Sequence, residues 1–124
     1  MRNSGLLLPA CCATIAVLSL LAGCRSPWIQ TIIVNQQNTP IKLVEVDYAG
    51  GSFGVQSIAA HASYRYRFHL LGSDKVKMEF TDAAWQNRKS TGPELEKGQA
   101  GTLRIEIEPG DKVEWLPELA LLRH

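Results

Sequence analysis

The chain has 124 residues, of which 45% are hydrophobic and 20% charged, with 13 Lys and Arg against 12 Asp and Glu. A chain of this length holds one domain. Its near-neutral charge excludes nucleic acid as the main partner, because phosphate binding needs a concentrated excess of Lys and Arg.

In chain order the first element is an export signal. Met1-Arg2-Asn3-Ser4-Gly5 supplies one positive charge, Leu6 to Ala22 follows without any, and Leu21-Ala22-Gly23-Cys24 closes the segment. A basic start, an apolar stretch and a small-residue site are the parts of a secretory signal. Residues 1–23 are therefore expected to form a helical signal peptide that is cleaved before Cys24. A retained transmembrane helix is the rival reading, but Pro9 interrupts the apolar run and its length lies at the short limit for a span. A second box, Leu8-Pro9-Ala10-Cys11, has only Leu6 to Leu8 as apolar run ahead of it.

Leu21-Ala22-Gly23-Cys24 resembles the lipobox of bacterial lipoproteins at all four positions. The resemblance implies that Cys24 receives a thioether-linked diacylglycerol, with a further fatty acyl chain such as palmitate on the new amino group. At about 0.8 kcal/mol per buried methylene, two or three chains make a stable membrane anchor. It also implies a cell-envelope location. Arg25 stands where that family commonly carries the aspartate of inner-membrane retention, so the periplasmic side of the outer membrane is expected in a cell with two membranes.

Removing the first 23 of 124 residues leaves 101, and removing Arg2 with them leaves 12 basic residues against 12 acidic ones. The expected division is a signal peptide at 1–23, a lipidated tether at 24–27 and a β-sandwich domain at 28–124. The tether spans at most about 14 Å, which keeps the domain close to the bilayer. Cys11 and Cys12 fall in the signal and Cys24 carries lipid, so no disulfide is expected inside the domain. With His61, His69 and His124 showing no ligand spacing, neither a metal nor another cofactor is expected.

From Trp28 onward the hydrophobic period is two. Trp28 to Asn35 and Ile41 to Tyr48 are strands separated by the Asn38-Thr39-Pro40 turn signal. Tyr64-Arg65-Tyr66-Arg67-Phe68-His69-Leu70 alternates strictly, with Tyr64, Tyr66, Phe68 and Leu70 expected inward. Val76 to Thr81 resumes the pattern after Gly72-Ser73-Asp74, and the two runs read as a hairpin. Lys89 to Thr91, Leu103 to Glu108 and Val113 to Leu116 are further strands. Val55 to Ala62 has helical spacing over too short a stretch to decide, and Glu118 to His124 is either a docked helical turn or a frayed tail.

Six or seven short strands in this length predict an all-β fold, a single immunoglobulin-like antiparallel β-sandwich. The Cys pair and intervening Trp of antibody domains are absent. The chain as a whole resembles small uncharacterised bacterial lipoproteins with one such sandwich. That resemblance implies an envelope location and carries over no activity.

Several groups are candidates for chemistry or binding. Gly50-Gly51-Ser52-Phe53-Gly54 fits G-x-S-x-G, which in α/β-hydrolases is a strained turn exposing a nucleophilic serine. This chain lacks the length and the strand-helix alternation of that fold, so the glycines read as a connection. Arg65, Arg67 and His69, with Lys77 and Glu79 on the expected neighbouring strand, form a basic face that suits an anionic partner. The alternative for that face is a solvated surface that discourages edge aggregation. Trp85 is placed either to stack on a partner or sugar or to cap the core. The loops 91–95 and 97–101 are candidate rims of a site. The pairs Glu94 with Glu96 and Glu106 with Glu108 have no visible pocket, and no glycosidase is inferred from them.

The expected function is therefore non-enzymatic: a membrane-anchored envelope lipoprotein with a structural or protein-interaction role, contacting another envelope protein or polymer through strand edges or end loops. Its partners are the membrane, through Cys24, and that protein or polymer, with Arg65, Arg67 and Trp85 as candidate contacts and no catalytic residue. The alternative is a small ligand-binding or glycan-binding module built on Trp85 and the 91–101 loops. A serine esterase at Ser52 ranks last.

Overall fold

The computed structural model describes residues 27–122. The expected signal segment 1–23 and the expected lipidation site Cys24 lie outside the described residues. Eight strands follow in order: β1 (Ile29–Asn35), β2 (Ile41–Tyr48), β3 (Gly51–Ile58), β4 (Ser63–Phe68), β5 (Asp74–Thr81), β6 (Asn87–Leu95), β7 (Gln99–Glu108) and β8 (Lys112–Leu121). They form two four-stranded sheets, β4-β1-β7-β8 and β3-β2-β5-β6.

The all-β architecture follows from the alternation read in the sequence. On β7, Leu103, Ile105 and Ile107 are buried and the residues between them are half-buried. On β1, Ile29, Thr31 and Ile33 turn inward in the same way. The facing sheet contributes Val44, Val46, Val76, Met78 and Phe80, and these two inner faces make one core. Such alternation is what a sheet covered on one side and solvated on the other requires.

The expected count of six or seven strands is corrected to eight. The unforeseen strand is β3, which takes up the glycine-rich connection from Gly51 on and the first half, to Ile58, of the Val55–Ala62 segment whose spacing left its structure undecided. It begins after a two-residue loop, Ala49-Gly50, in which Gly50 has φ +99°; that positive φ is open to glycine at little steric cost. The C-terminal segment is also strand, since β8 continues to Leu121 instead of forming a helical turn.

Two topological expectations also change. β4 and β5 are not a hairpin: β4 pairs with β1 in one sheet, and β5 pairs with β2 and β6 in the other. Residues 69–73 are thus a crossover between sheets, with Leu70 buried and Leu71 exposed. The sandwich is not wholly antiparallel either, because β1 runs parallel to β7, with Ile29 opposite Gly101 and Ile33 opposite Ile105. Constant-type immunoglobulin domains order their strands first-second-fifth-fourth on one sheet and third-sixth-seventh on the other. This chain has a different order.

The strand directions give the sandwich two distinct ends. At one end lie Trp28, the β2–β3 turn, the 69–73 crossover, the β6–β7 loop and the end of β8. At the other lie the β1–β2, β3–β4, β5–β6 and β7–β8 connections. Side-chain hydrogen bonds close this second end. Asn35 Nδ2 donates to the carbonyls of Thr39, Ile58 and Ala59, Gln37 bonds Asp111, and Arg88 Nε donates to Asp82 at 2.8 Å.

Candidate functional site

Four strands are sheet edges: β4 and β8 in one sheet, β3 and β6 in the other. An edge presents unpaired N–H and C=O groups, and proteins commonly shield it with charges, proline or a bulge. β4 carries Arg65 and Arg67, β6 carries Arg88, Lys89, Pro93 and Glu94, and β8 carries Lys112, Glu114, Pro117 and Glu118. β3, Gly-Ser-Phe-Gly-Val-Gln-Ser-Ile, has neither a charge nor a proline along its eight residues.

The β3 edge is held firmly from beneath. The Phe53 ring stacks on Tyr66 of β4 at a centroid distance of 4.3 Å, and Tyr48 stacks on Phe68 at 4.0 Å. These pairs tie the two sheets together along the β3–β4 side, each contributing about 0.5 to 1.5 kcal/mol beyond its buried area. They also explain why Tyr66, expected to be inward, is in part exposed: it lies on an edge strand, where the core opens to solvent.

Beside the edge the outer surface is grooved. Leu43 has φ +50° and lies in the register shift between Lys42 and Glu45, where β2 has one residue more than β5. Leu43 points outward, 61% exposed, opposite the buried Val44 and Val46, and the extra residue of the bulge lets Ile41 be buried as well. Leu43, Glu45, Ser52, Gly54 and Gln56 line an open groove of about 500 Å³ between β2 and β3.

The groove is acidic on its β5 side. Glu45 lies directly opposite Glu79 and two residues from Asp47. Asp47, more than Glu79, holds the Glu45 carboxyl above its ordinary value. Lys77 lies opposite Asp47 and Lys89 opposite Glu79, whereas Glu45 has Gly54 and Glu79 as its ladder neighbours and no cation opposite it; none of the three carboxylates forms an ion pair among the described residues.

Trp85 lies in the β5–β6 turn next to this region. The residue is 72% exposed, and its φ is +62°. Trp85 N–H donates to the Asp82 carbonyl, while the Ala84 and Gln86 N–H groups donate to Asp82 Oδ1. The turn is therefore fixed by Asp82. Lys42 Nζ sits 4.4 Å from the Trp85 ring centroid, which places the tryptophan beside the β2 bulge. Trp85 does not cap the core.

The other residues singled out in the sequence fall elsewhere. Arg65 and Arg67 are exposed on β4, with Ile32 and Gln30 as their partners across the ladder. Lys77 and Glu79 are on the other sheet, so the expected shared basic face does not form. The Arg67 guanidinium lies 4.4 Å from the Trp28 ring centroid, and the His69 ring packs tilted against that tryptophan, with centroids 3.7 Å apart. Trp28, at which the first strand was expected to begin, precedes β1 and is half-buried against these two side chains.

Ser52 occupies extended strand β3, opposite Asp47; the strand-to-helix turn on which a nucleophilic serine in G-x-S-x-G depends is not formed there. The 91–95 and 97–101 segments belong largely to β6 and β7, with only residues 96–98 between them. They do not form paired loops around Trp85. Glu108 and Glu114 lie near each other on the outer face of β7 and β8, and the neighbouring Glu114 carboxyl raises the Glu108 carboxyl above its ordinary value. The β3 edge and Leu43 were missed in the sequence; the signal available was the run of eight residues without charge.

The fold and this edge define a small two-sheet all-β domain with one unshielded strand. No protein-family model matches the chain and no curated protein matches it. Among solved structures, the NMR structure of a protein from Eubacterium rectale is similar, with a TM-score of 0.52 at 17% identity. The match covers 76% of this chain and 89% of that one, and it supports the fold alone.

Proposed function

We propose that the chain is a non-enzymatic, lipid-anchored envelope protein that binds an extended segment of another envelope protein by strand addition at β3. The observation that carries this reading is the β3 edge, the one edge among the described residues with neither charge nor proline. In strand addition the backbone of the edge supplies affinity and alternate side-chain pockets supply specificity. The groove beside Leu43 takes an apolar side chain, and unpaired Glu45 favours a Lys or Arg next to it. The membrane anchor follows from the lipobox resemblance at Cys24.

The test places a photocrosslinking residue at Gln56 on β3, at Trp85, or at Glu118 on β8 in the full chain in its host. A discrete adduct is expected from Gln56 and Trp85 and none from Glu118. Ser52→Lys with Gln56→Lys should abolish the adduct formed from Trp85 without unfolding the domain. Equal adducts from all three positions, or an adduct from Glu118 alone, would overturn the assignment. The anchor is checked by mass spectrometry of the mature N-terminus, which should begin at acylated Cys24.

A second reading rests on Trp85, whose exposed ring suits stacking on a sugar. Retention on a glycan matrix that is lost in Trp85→Ala, without any crosslinked protein, would favour it.

A further inference from the structure

We infer that the end of the sandwich bearing Trp28, Leu71 and Leu121 lies against the lipid bilayer, so that β3 and its groove stand at a fixed orientation to the membrane. This rests on the reading of Cys24 as the lipidated residue.

The first observation is where the chain leaves the domain. Residue 27 precedes Trp28, and the Gly101 N–H donates to the Trp28 carbonyl at 3.2 Å, so the chain is tied to the sheet up to that point. Only Arg25, Ser26 and Pro27 separate Trp28 from Cys24. A connection of four residues reaches at most about 14 Å, so the end carrying Trp28 is brought to the surface in which the acyl chains are buried.

The second observation is what that end presents. Leu71, in the 69–73 crossover, is 70% exposed, and Leu121, at the end of β8, is 51% exposed. Leu71 lies on the β4–β5 side of this end and Leu121 at the end of edge strand β8. Leu71 is not a loose side chain. Its N–H donates to the Ala49 carbonyl at 3.1 Å, and its side chain covers Gly50 so closely that a Cβ there would lie 2.6 Å from the Leu71 Cβ. The backbone after Leu121 is held in turn, by the Leu122 N–H donating to the Gly98 carbonyl.

The third observation is the polar company of these leucines. Trp28 packs with Arg67 and His69, and Lys75 and Lys97 lie at the same end. Aromatic rings and long cationic side chains are the residues that settle at the level of lipid headgroups. Asp74 and Glu96 at this end offset two of the cations, so contact is carried by the leucines and Trp28 more than by charge. The opposite end is closed by the Asn35, Gln37, Asp82, Arg88 and Asp111 hydrogen bonds and faces away from the bilayer.

The experiment uses the full chain, exported and purified with its lipid, in vesicles of phosphatidylethanolamine and phosphatidylglycerol with brominated acyl chains. Cys11, Cys12 and Cys24 are the chain's three cysteines, so a thiol introduced into the acylated mature protein has no competitor. Bimane on Leu71→Cys and on Leu121→Cys should be quenched about threefold more than bimane on Trp85→Cys, as expected for shallow interfacial burial. In the unsubstituted protein, vesicles should slow amide exchange at residues 69–73 and 119–122 and leave 83–86 unchanged, which keeps the test independent of the leucine variants. Acylated Cys24 with equal quenching at all three positions and no added protection would overturn the orientation and leave the anchor standing. An unmodified Cys24 would overturn the anchor and this orientation with it.

Discussion

Trp115 Nε1 donates to Ser90 Oγ at 2.9 Å, joining β8 of one sheet to β6 of the other, and the indole lies over Gly92. A Cβ on Gly92 would stand 2.6 Å from the ring, so the absence of a side chain is what lets the indole close this side of the sandwich. Gly92→Ala is expected to destabilise by about 1 to 3 kcal/mol through overpacking. Ser90→Ala removes a single hydrogen bond and should cost about 1 kcal/mol. Urea unfolding checks both; a neutral Gly92→Ala would show that the indole moves aside freely.

Asn35 is fully buried at the end of β1, and its Nδ2 serves the Thr39, Ile58 and Ala59 carbonyls while its Oδ1 accepts from the Gln37 N–H. One side chain thus fixes the β1–β2 connection to the end of β3. Asn35→Ala should cost about 3 kcal/mol or more, because several backbone groups lose their partner out of reach of water. Faster amide exchange confined to residues 36–40 and 58–62 in the variant would locate the damage. A loss below about 1 kcal/mol would mean that water replaces the amide.

Thr31 is buried between Tyr66 and Leu103 in the ladder, and its Oγ1 has no hydrogen-bond partner. Thr31→Val keeps the shape and removes the orphaned hydroxyl, so it is expected to stabilise by about 1 kcal/mol. For a domain of this size that is a rise in Tm of about 4 to 8 °C. A fall in Tm would reveal a partner for the hydroxyl.

Two carboxyls give opposite pH dependences. The Glu45 pKa is raised above 4.5, first by Asp47, so the folded state binds this proton more tightly than the unfolded one. That contribution is fully present below pH 4.5 and is lost as pH rises through the folded value. Glu45→Gln should therefore raise Tm at pH 7 and bring no gain at about pH 3. The Asp82 pKa is lowered below 3.8, first by the Gln86 N–H and then by Arg88. Its contribution is present above pH 3.8 and disappears as pH falls through the folded value, so Asp82→Asn should lower Tm at pH 7 with a deficit that shrinks on acidification. Tm measured for the two variants at both pH values checks the signs.

The sheets that make the core were legible because their strands alternate: Leu103 to Glu108 and Val76 to Thr81 are buried on the predicted face. β3 was not, because Gly51, Ser52, Gly54, Gln56 and Ser57 give an edge strand no apolar period, and its identity comes from the ladder with β2. The pairing of Tyr64–Leu70 with Val76–Thr81 failed for a different reason. A short glycine-containing connection fits a hairpin or a crossover between sheets equally well, and only the ladders, β4 on β1 and β5 on β2 and β6, decide it. Leu43 falls outward by the alternation of Val44, Val46 and Tyr48, and what that alternation does not place is the bulge between Lys42 and Glu45, which keeps Ile41 buried as well. Of the residues proposed for contact, Trp85 was visible as an aromatic in a polar turn. Arg65 and Arg67 were visible as outward charges, but their opposite strand was not.

Trp85 provides the sharpest separation of structure from contact. Were it a core cap, Trp85→Gly would cost about 3 to 5 kcal/mol, as large-to-small core changes do. Its ring is instead exposed, and its left-handed backbone conformation carries a strain of about 1 to 2 kcal/mol that glycine does not feel. Relief of that strain offsets the loss of the Lys42 contact over the ring, about 0.5 to 1 kcal/mol at an exposed site. Trp85→Gly is therefore expected to melt within about 1 kcal/mol of the parent while the adduct formed from Gln56 weakens. Unchanged crosslinking with unchanged stability would remove Trp85 from the contact surface and leave β3 and Leu43 to carry it. A large loss of stability would show that the ring is covered in the folded protein.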